Sequence, residues 1–418
     1  MSAPRSRIRL VFVAATLLTA GFAVAAAASG ASSAQAGEPR VSDYFTPDEI
    51  ARSRTYTGTR YLLGFTSLGL GLAVAAVIGL GPAARAIGGW AERATGGRWP
   101  LTALLLAAVA ALVPALATLP LAVARGFWNE RRFGLSTQSP AGFLSDLGKG
   151  AMVQIVVAAV VALAFFFVVR RLPGAWPPIA AGVMVGLTVL MVVAYPLIYE
   201  PLFNKFTPVD AATRNRIVAL ARDAGVTVDR VLVADASRRT TKQNAYVSGL
   251  GATKRVVLYD TLLQKSSEDE VDLVVAHELG HVVHRDVLKG TVLGSAGAIA
   301  AVALVWLIVS RPGVLRFAGA SGPGDPRLIP LLSFVLAAAT ILTLPVVNGF
   351  SRSIEAAADR FAVRVTGDPQ TAVRVEVNLA RDNVADLQPN AFVRWMFFSH
   401  PPVMERIEIA LESEAPSR

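Results

Sequence analysis

The five residues His277-Glu278-Leu279-Gly280-His281 carry the clearest chemical signal in the chain. Positions i and i+4 lie on one face of an α-helix, so both imidazoles can aim a ring nitrogen at a single ion. Zinc accepts such nitrogens at about 2.0–2.1 Å. Glu278 stands beside a ligand, not on the ligand face, where a carboxylate is placed to take a proton from a water held at the ion. With 4 histidines in 418 residues, the pattern arises by chance in roughly one such chain in a thousand. A bland pair of satisfied helix histidines carries little weight against that.

A hydrolytic zinc site needs a third protein ligand and an open position. The chain has no cysteine, so His, Glu or Asp must supply it. His284 follows His277 by two turns, on a similar face but about 10.5 Å further along the axis. It reads as a surface histidine. Glu355 is the better candidate, in a run from Ser353 to Ala362 that patterns as a helix. Asp359 is one turn further on the same face. There it can accept the N–H of a zinc-bound histidine and hold its tautomer.

Composition sets the elements that must position these residues. Apolar residues make up 53% and charged residues 17%, against about 25% charged in ordinary globular chains. Seven runs of twenty or more residues lack Asp, Glu, Lys and Arg: Leu10–Gly37, Tyr61–Ala84, Trp99–Ala124, Gly150–Val169, Leu172–Tyr199, Gly290–Ser310 and Leu328–Ser351. A bilayer core about 30 Å thick takes roughly 20 helical residues. The fold class is therefore an all-α polytopic membrane protein, with a small α+β domain carrying the zinc motif. Disordered, fibrous and disulfide-scaffold classes are excluded. The net charge of +10 suits loop cations against the anionic lipid of the bilayer, and no nucleic-acid partner is expected.

Residues 1–37 form a first span or a signal-like leader. Arg5, Arg7 and Arg9 precede the apolar run, and Ala34-Gln35-Ala36 resembles a cleavage site. The apolar part exceeds the usual 7–15-residue signal core, so a retained span is favoured. Residues 38–199 hold spans two to five, 200–289 the zinc region, 290–351 spans six and seven, and 352–418 a helical region with the third ligand. Two spans separate Glu200–Lys289 from Arg352–Arg418, so both polar segments lie on one side and can build one site.

Within the first polar segment, Asp210–Ala224 patterns as a helix and Arg230–Ala234 as a strand. Asn244–Leu250 and Arg255–Tyr259 read as two more strands, joined through Gly251-Ala252-Thr253-Lys254. Ser267 and Glu270 form a capping box that opens a helix running to about Leu288. In the second segment, Arg352–Val365, Pro369–Leu387 and Pro402–Ser413 read as three helices.

His277–His281 followed by Glu355 and Asp359 resembles the gluzincin pattern H-E-x-x-H … E-x-x-x-D. More narrowly, the chain resembles the integral-membrane zinc CAAX prenyl protease family. The segments Glu200–Phe206, Asn244–Gly249, Arg352–Ala362 and Ser399-His400-Pro401-Pro402 carry that resemblance, as does the zinc helix between the fifth and sixth spans. It implies seven helices around a water-filled intramembrane chamber, with one Zn2+ per chain near its polar end. It further implies that Asn244 and His400 flank the zinc and donate hydrogen bonds to substrate backbone or to the developing oxyanion. Arg406 is read as neutralising a buried carboxylate or binding substrate. Asn244 opens a strand that can pair with an extended substrate.

The expected activity is a membrane-embedded zinc endopeptidase acting on a peptide or membrane protein. A transporter or scaffold with structural zinc competes, but such a site has no need of Glu278, and the spans lack the charges that ion pathways use. Orientation divides the indicators. The leading segment together with Arg85–Arg98, Arg170-Arg171 and Arg311–Arg327 carries about 11 Arg, against eight Arg or Lys in the opposite short loops Glu38–Arg60 and Arg125–Lys149, which puts the zinc region outside a cell membrane. The eukaryotic family members imply a cytosolic opening.

Overall fold

The computed structural model describes residues 39–228, 230–249 and 254–413. The expected first span and the turn Gly251-Ala252-Thr253 lie outside these residues. Among the described residues, six helices are long and apolar enough to cross a bilayer, and they correspond to the expected spans two to seven.

The first of them, α1 (Pro47–Leu80), starts well before its apolar run because Thr46 and Glu49 form a reciprocal cap. A short amphipathic helix, α2 (Pro82–Ala94), turns the chain back to α3 (Trp99–Val123). That span continues through a π-helical turn, Ala124–Trp128. The next pair is α4 (Pro140–Arg171) and α5 (Trp176–Ala194), the latter ending in a second π-helical turn at Tyr195–Tyr199. Outward side chains such as Leu197 and Ile198 are both 64% exposed, which water penalises and lipid does not.

The region that carries the His277–His281 motif follows. Strands β1 (Phe206–Pro208), β2 (Arg230–Ala234), β3 (Ala245–Ser248) and β4 (Arg255–Tyr259) form a sheet of order β1-β2-β4-β3. β2 and β4 are parallel, whereas β3 pairs antiparallel with β4, Ala245 opposite Leu258. β3 is therefore an edge strand. Helix α6 (Ala211–Asp223), the short α7 (Asp260–Lys265) and α8 (Glu268–Val283) accompany the sheet. Ile217, Val231, Val256, Leu258, Val275 and Leu279 share one buried core between them. β1 and the parallel β2–β4 pairing were not apparent from sequence.

Two helix ends differ from expectation. α8 stops at Val283, not near Leu288, because Arg285 adopts the left-handed conformation at φ 56°. For a non-glycine residue that costs about 1–2 kcal/mol, and it lets the next span, α9 (Asp286–Val309), begin beside the zinc motif. After a short α10 (Pro312–Ala318), α11 runs unbroken from Ile329 to Thr366. The seventh span and the expected helix Arg352–Val365 are thus one 38-residue rod. Pro345 lies inside the rod, where a membrane helix tolerates it, and an isolated Gly349 costs only about 1 kcal/mol. α12 (Pro369–Asn383), α13 (Ala391–Phe397) and α14 (Val403–Glu412) complete the chain. α12 ends before Leu387 because Val384 also turns left-handed, φ 50°.

Between the spans lies a cavity of about 440 Å3, lined by side chains such as Phe166, Met191, Val305 and Leu336. Thr188 and Ser333 are its polar contributors among the described residues. At the end of the bundle away from the sheet, three loops meet. Arg327 pairs with Glu92 at 3.3 Å, and Arg170 donates to the Gly324 carbonyl at 3.0 Å.

The basic loops thus cluster at one end, which yields a test of sidedness. Ser266 is half-buried and donates to Gln243 at 2.7 Å, so the exposed Gln264 serves better as a label site. With single cysteines at Gln264 and Gly313, an impermeant thiol reagent on intact cells is expected to label Gln264→Cys and spare Gly313→Cys. The reverse pattern would put the zinc region in the cytoplasm.

Candidate metal centre

The capping box expected at Ser267 and Glu270 is formed and sets the start of α8. One turn from its end, His277 Nε2 and His281 Nε2 face each other at 3.2 Å. α11 crosses α8 closely at this level. A Cβ on Gly280 would meet Phe361 at 3.1 Å and the Ala358 Cα at 3.2 Å. Only glycine allows that approach without a shift, and the approach brings Glu355 to the histidines. Its Oε2 lies 3.3 Å from His277 Nε2 and 3.7 Å from His281 Nε2.

These groups fit a metal. Tetrahedral ligands at about 2.0–2.1 Å from an ion stand roughly 3.3 Å apart. Glu355 Oε2 is buried and lacks a hydrogen-bond partner among the described residues. Two imidazole nitrogens and an orphaned carboxylate oxygen form a donor set suited to zinc. Burial works against charge on His277, yet the Asp359 and Glu355 carboxylates outweigh it and hold its pKa at about 10. The pocket therefore favours positive charge. Glu278 also lies within 4.8 Å of the two histidines. Burial pushes its carboxyl up, while His277, His281 and the Val247 amide of β3 oppose the shift.

Two lines of contacts lead away from the histidines. His277 Nδ1 lies 2.8 Å from Asp359 Oδ1, an oblique ionic contact and not a straight hydrogen bond. Arg406 grips Asp359 with Nε at 2.9 Å and Nη2 at 2.5 Å. Its Nη1 lies 2.9 Å from Glu376. Burial opposes charge on Arg406, but Glu376 and Asp359 raise its pKa further. Burial lifts Glu376 to about 7, against the pull of Arg406. Of the two readings of Arg406, this geometry matches neutralisation of buried carboxylates. On the second line, His281 Nδ1 lies 3.0 Å from Asp286 Oδ2, and Lys289 holds the other oxygen at 2.8 Å.

Sequence reasoning missed Asp286 and Glu376. A carboxylate five residues after a ligand histidine was a usable signal for Asp286, but only the left-handed Arg285 turns it back. Glu376 sits on α12 and gives no local signal. His284 is not a plain surface residue: its ring packs edge-on against Phe361 at 5.6 Å and is half-buried, because α11 continues past the end of α8.

The open side carries the remaining candidates. His400 Nε2 lies 3.3 Å from Glu355 Oε2, and its Nδ1 meets Ser399 Oγ at 2.9 Å. Asn244 Oδ1 accepts from the Ala245 amide at 3.0 Å, which leaves the amide nitrogen for another acceptor. A cavity of about 290 Å3 is walled by Asn244, His277, Glu278, His400 and Arg406 among others.

Comparison with known proteins agrees with this architecture. The profile of Peptidase family M48 matches residues 209–414, and that of the CAAX prenyl protease N-terminal region, five membrane helices, matches residues 32–205. The chain is 27% identical over 378 residues to the uncharacterised metalloprotease YhfN of Bacillus subtilis, covering 89% of this chain and 87% of that one. It is 32% identical over 307 residues to the CAAX prenyl protease 1 homolog of Oryza sativa, covering 70% and 69%. The crystal structure of S. mikatae Ste24p shares the fold, with a TM-score of 0.82 at 21% identity over 96% of this chain and 97% of that one. This chain thus belongs to the M48 peptidases, as a multi-pass membrane metalloendopeptidase of the CAAX prenyl protease family.

Proposed function

We propose that the protein is a zinc endopeptidase in which His277, His281 and Glu355 hold one Zn2+ and Glu278 is the general base. The observation that carries this reading is the convergence, within 3.2–3.7 Å, of two imidazole nitrogens and a buried Glu355 oxygen that makes no hydrogen bond among the described residues. When bound, zinc lowers the pKa of a water to about 7 and polarises a carbonyl. Glu278 accepts the proton of the attacking water and returns it to the leaving amine. His400 and the Asn244 amide reach the same cavity and supply hydrogen bonds to the developing oxyanion or to substrate backbone. The free edge of β3 pairs with an extended peptide.

The relatives' names point to a C-terminal CAAX box, prenylated, as a substrate to test first. Mass spectrometry of products from the purified full chain, with a prenylated CAAX peptide and an unmodified library, separates a CAAX-directed enzyme from a broader one. Chelator should abolish cleavage of both. Cleavage that survives chelation would overturn the proposal.

Asp359 and Asp286 act through the histidines they contact. Asp359→Ala and Asp286→Ala are each expected to weaken zinc binding about 10–100-fold, read by competition with a metal-sensitive dye. Arg406→Lys keeps the charge but loses the paired grip on Asp359, and a smaller loss than in Asp359→Ala is expected.

A further inference from the structure

Beside the catalytic cavity lies a second one of about 470 Å3. Asn383 and Ala385 line both. Three cations from separate parts of the chain converge on the second: Arg60 of α1, Arg125 of the π-helical turn after α3, and Lys242 just ahead of β3. Arg60 and Lys242 share the buried Glu130, with Lys242 Nζ 2.8 Å from Oε2. Tyr56 donates to the same carboxylate at 2.6 Å. Glu130 lies behind the wall, and the acid in the wall itself, Asp386, accepts from the Tyr61 hydroxyl at 2.6 Å. Arg125 has no hydrogen-bond or ion-pair partner among the described residues. Its guanidinium lies across Gly64, where a Cβ would stand 3.5 Å from Nη1. Three cations against two carboxylates leave one positive charge, and Arg125 carries it.

The depth of this cluster is set by the sequence. Arg60 is the last charge before the apolar run Tyr61–Ala84, and Arg125 is the first after Trp99–Ala124. Both guanidinium groups therefore sit where hydrocarbon meets water, at the level of lipid head groups. Tyr61 in the wall, and Trp128, 65% exposed on the same turn as Arg125, are the aromatic types favoured at that depth. An unpaired guanidinium binds oxyanions in a paired geometry, and at this level the abundant oxyanion is the phosphodiester of a lipid.

We propose that this cavity is a binding site for the phosphate of an anionic phospholipid, with Arg125 as its principal contact. The bound head group stiffens one wall of the catalytic cleft. Lys242 leads directly into Gln243, whose backbone N–H donates to Asn383 Oδ1 at 3.0 Å, and then into Asn244 and β3. Asn383 and Ala385 flank Val384, a β-branched residue held at φ 50°, a conformation that the surroundings must hold in place. Anion binding at Lys242 and Arg125 therefore bears on the segment where substrate enters.

The test uses the full chain extracted from bilayers of phosphatidylcholine and phosphatidylglycerol, with retained lipid read by native mass spectrometry. Wild type is expected to retain phosphatidylglycerol preferentially. Arg125→Gln should lower that retention roughly ten-fold or more, as loss of a charge-assisted contact does. Arg125→Lys should recover part of it, and Arg316→Gln, in the loops at the other end of the bundle, should change nothing. No preference for phosphatidylglycerol, or full retention in Arg125→Gln, would overturn the proposal. Binding of inorganic phosphate alone without any lipid preference would make this a free phosphate site, and would overturn it too. So would intact lipid retention in Arg125→Gln with a raised KM for a free-acid peptide but not its amide, because the cavity would then hold the substrate carboxyl. Lipid retention is measured without peptide cleavage, so this result stands apart from the zinc peptidase reading.

Discussion

Glu278→Gln is expected to bind zinc as wild type does and to cleave peptides about 10²–10⁴-fold more slowly. The substitution keeps the shape of the side chain and an oxygen that can still accept from the Val247 amide. It removes only the ability to take a proton. Neighbouring His277 and His281 retain their positions because Asp359 and Asp286 hold them from the other side. Metal content measured on the same sample that is assayed makes the result decisive. A metal-loaded variant that turns over at the wild-type rate would remove Glu278 from the reaction.

The second large effect is on the metal itself. His277→Ala and Glu355→Gln should each lower zinc affinity by more than the roughly 10–100-fold that outer contacts carry, since each removes a direct donor. Elemental analysis after dialysis against a weak chelator reads this without any substrate. Glu355→Gln is preferred to alanine because the position is buried between α8 and α11, where a cavity would add its own cost. Melting with and without added zinc separates the two effects: a ligand stabilises the fold in proportion to how tightly it binds. Glu355→Gln should melt near wild type without zinc and His277→Ala somewhat lower, because it removes a largely buried ring that touches Asp359; both should gain less when zinc is added. Full zinc occupancy in both variants would refute the ligand assignment.

Local pattern alone made the membrane spans, the capped helix α8 and the strands β2, β3 and β4 legible. Each rests on interactions between residues a few positions apart, so periodicity reports them directly. The motif at His277–His281 was legible for the same reason, because one helical turn sets which side chains share a face. Glu355 and Asp359 were candidates by residue type and spacing, but their meeting with the histidines depends on the close crossing at Gly280, which no local pattern encodes.

What only the tertiary structure decided lies across long stretches of chain. Arg406 follows Glu376 by thirty residues and Asp359 by forty-seven, and each of the three reads in isolation as a solvated helix charge. Their burial together makes them one network, because charges taken out of water must be paired. Asp286 reaches His281 only because Arg285 accepts a left-handed backbone. The seventh span and the helix bearing Glu355 proved continuous, since polarity marks where a helix leaves the bilayer but not where it stops. Residue types and helical spacing determined the chemistry available to this protein. The packing of α8 against α11, α12 and α14 decided which of those groups share one site, because burial and pairing depend on distances that sequence separation does not set.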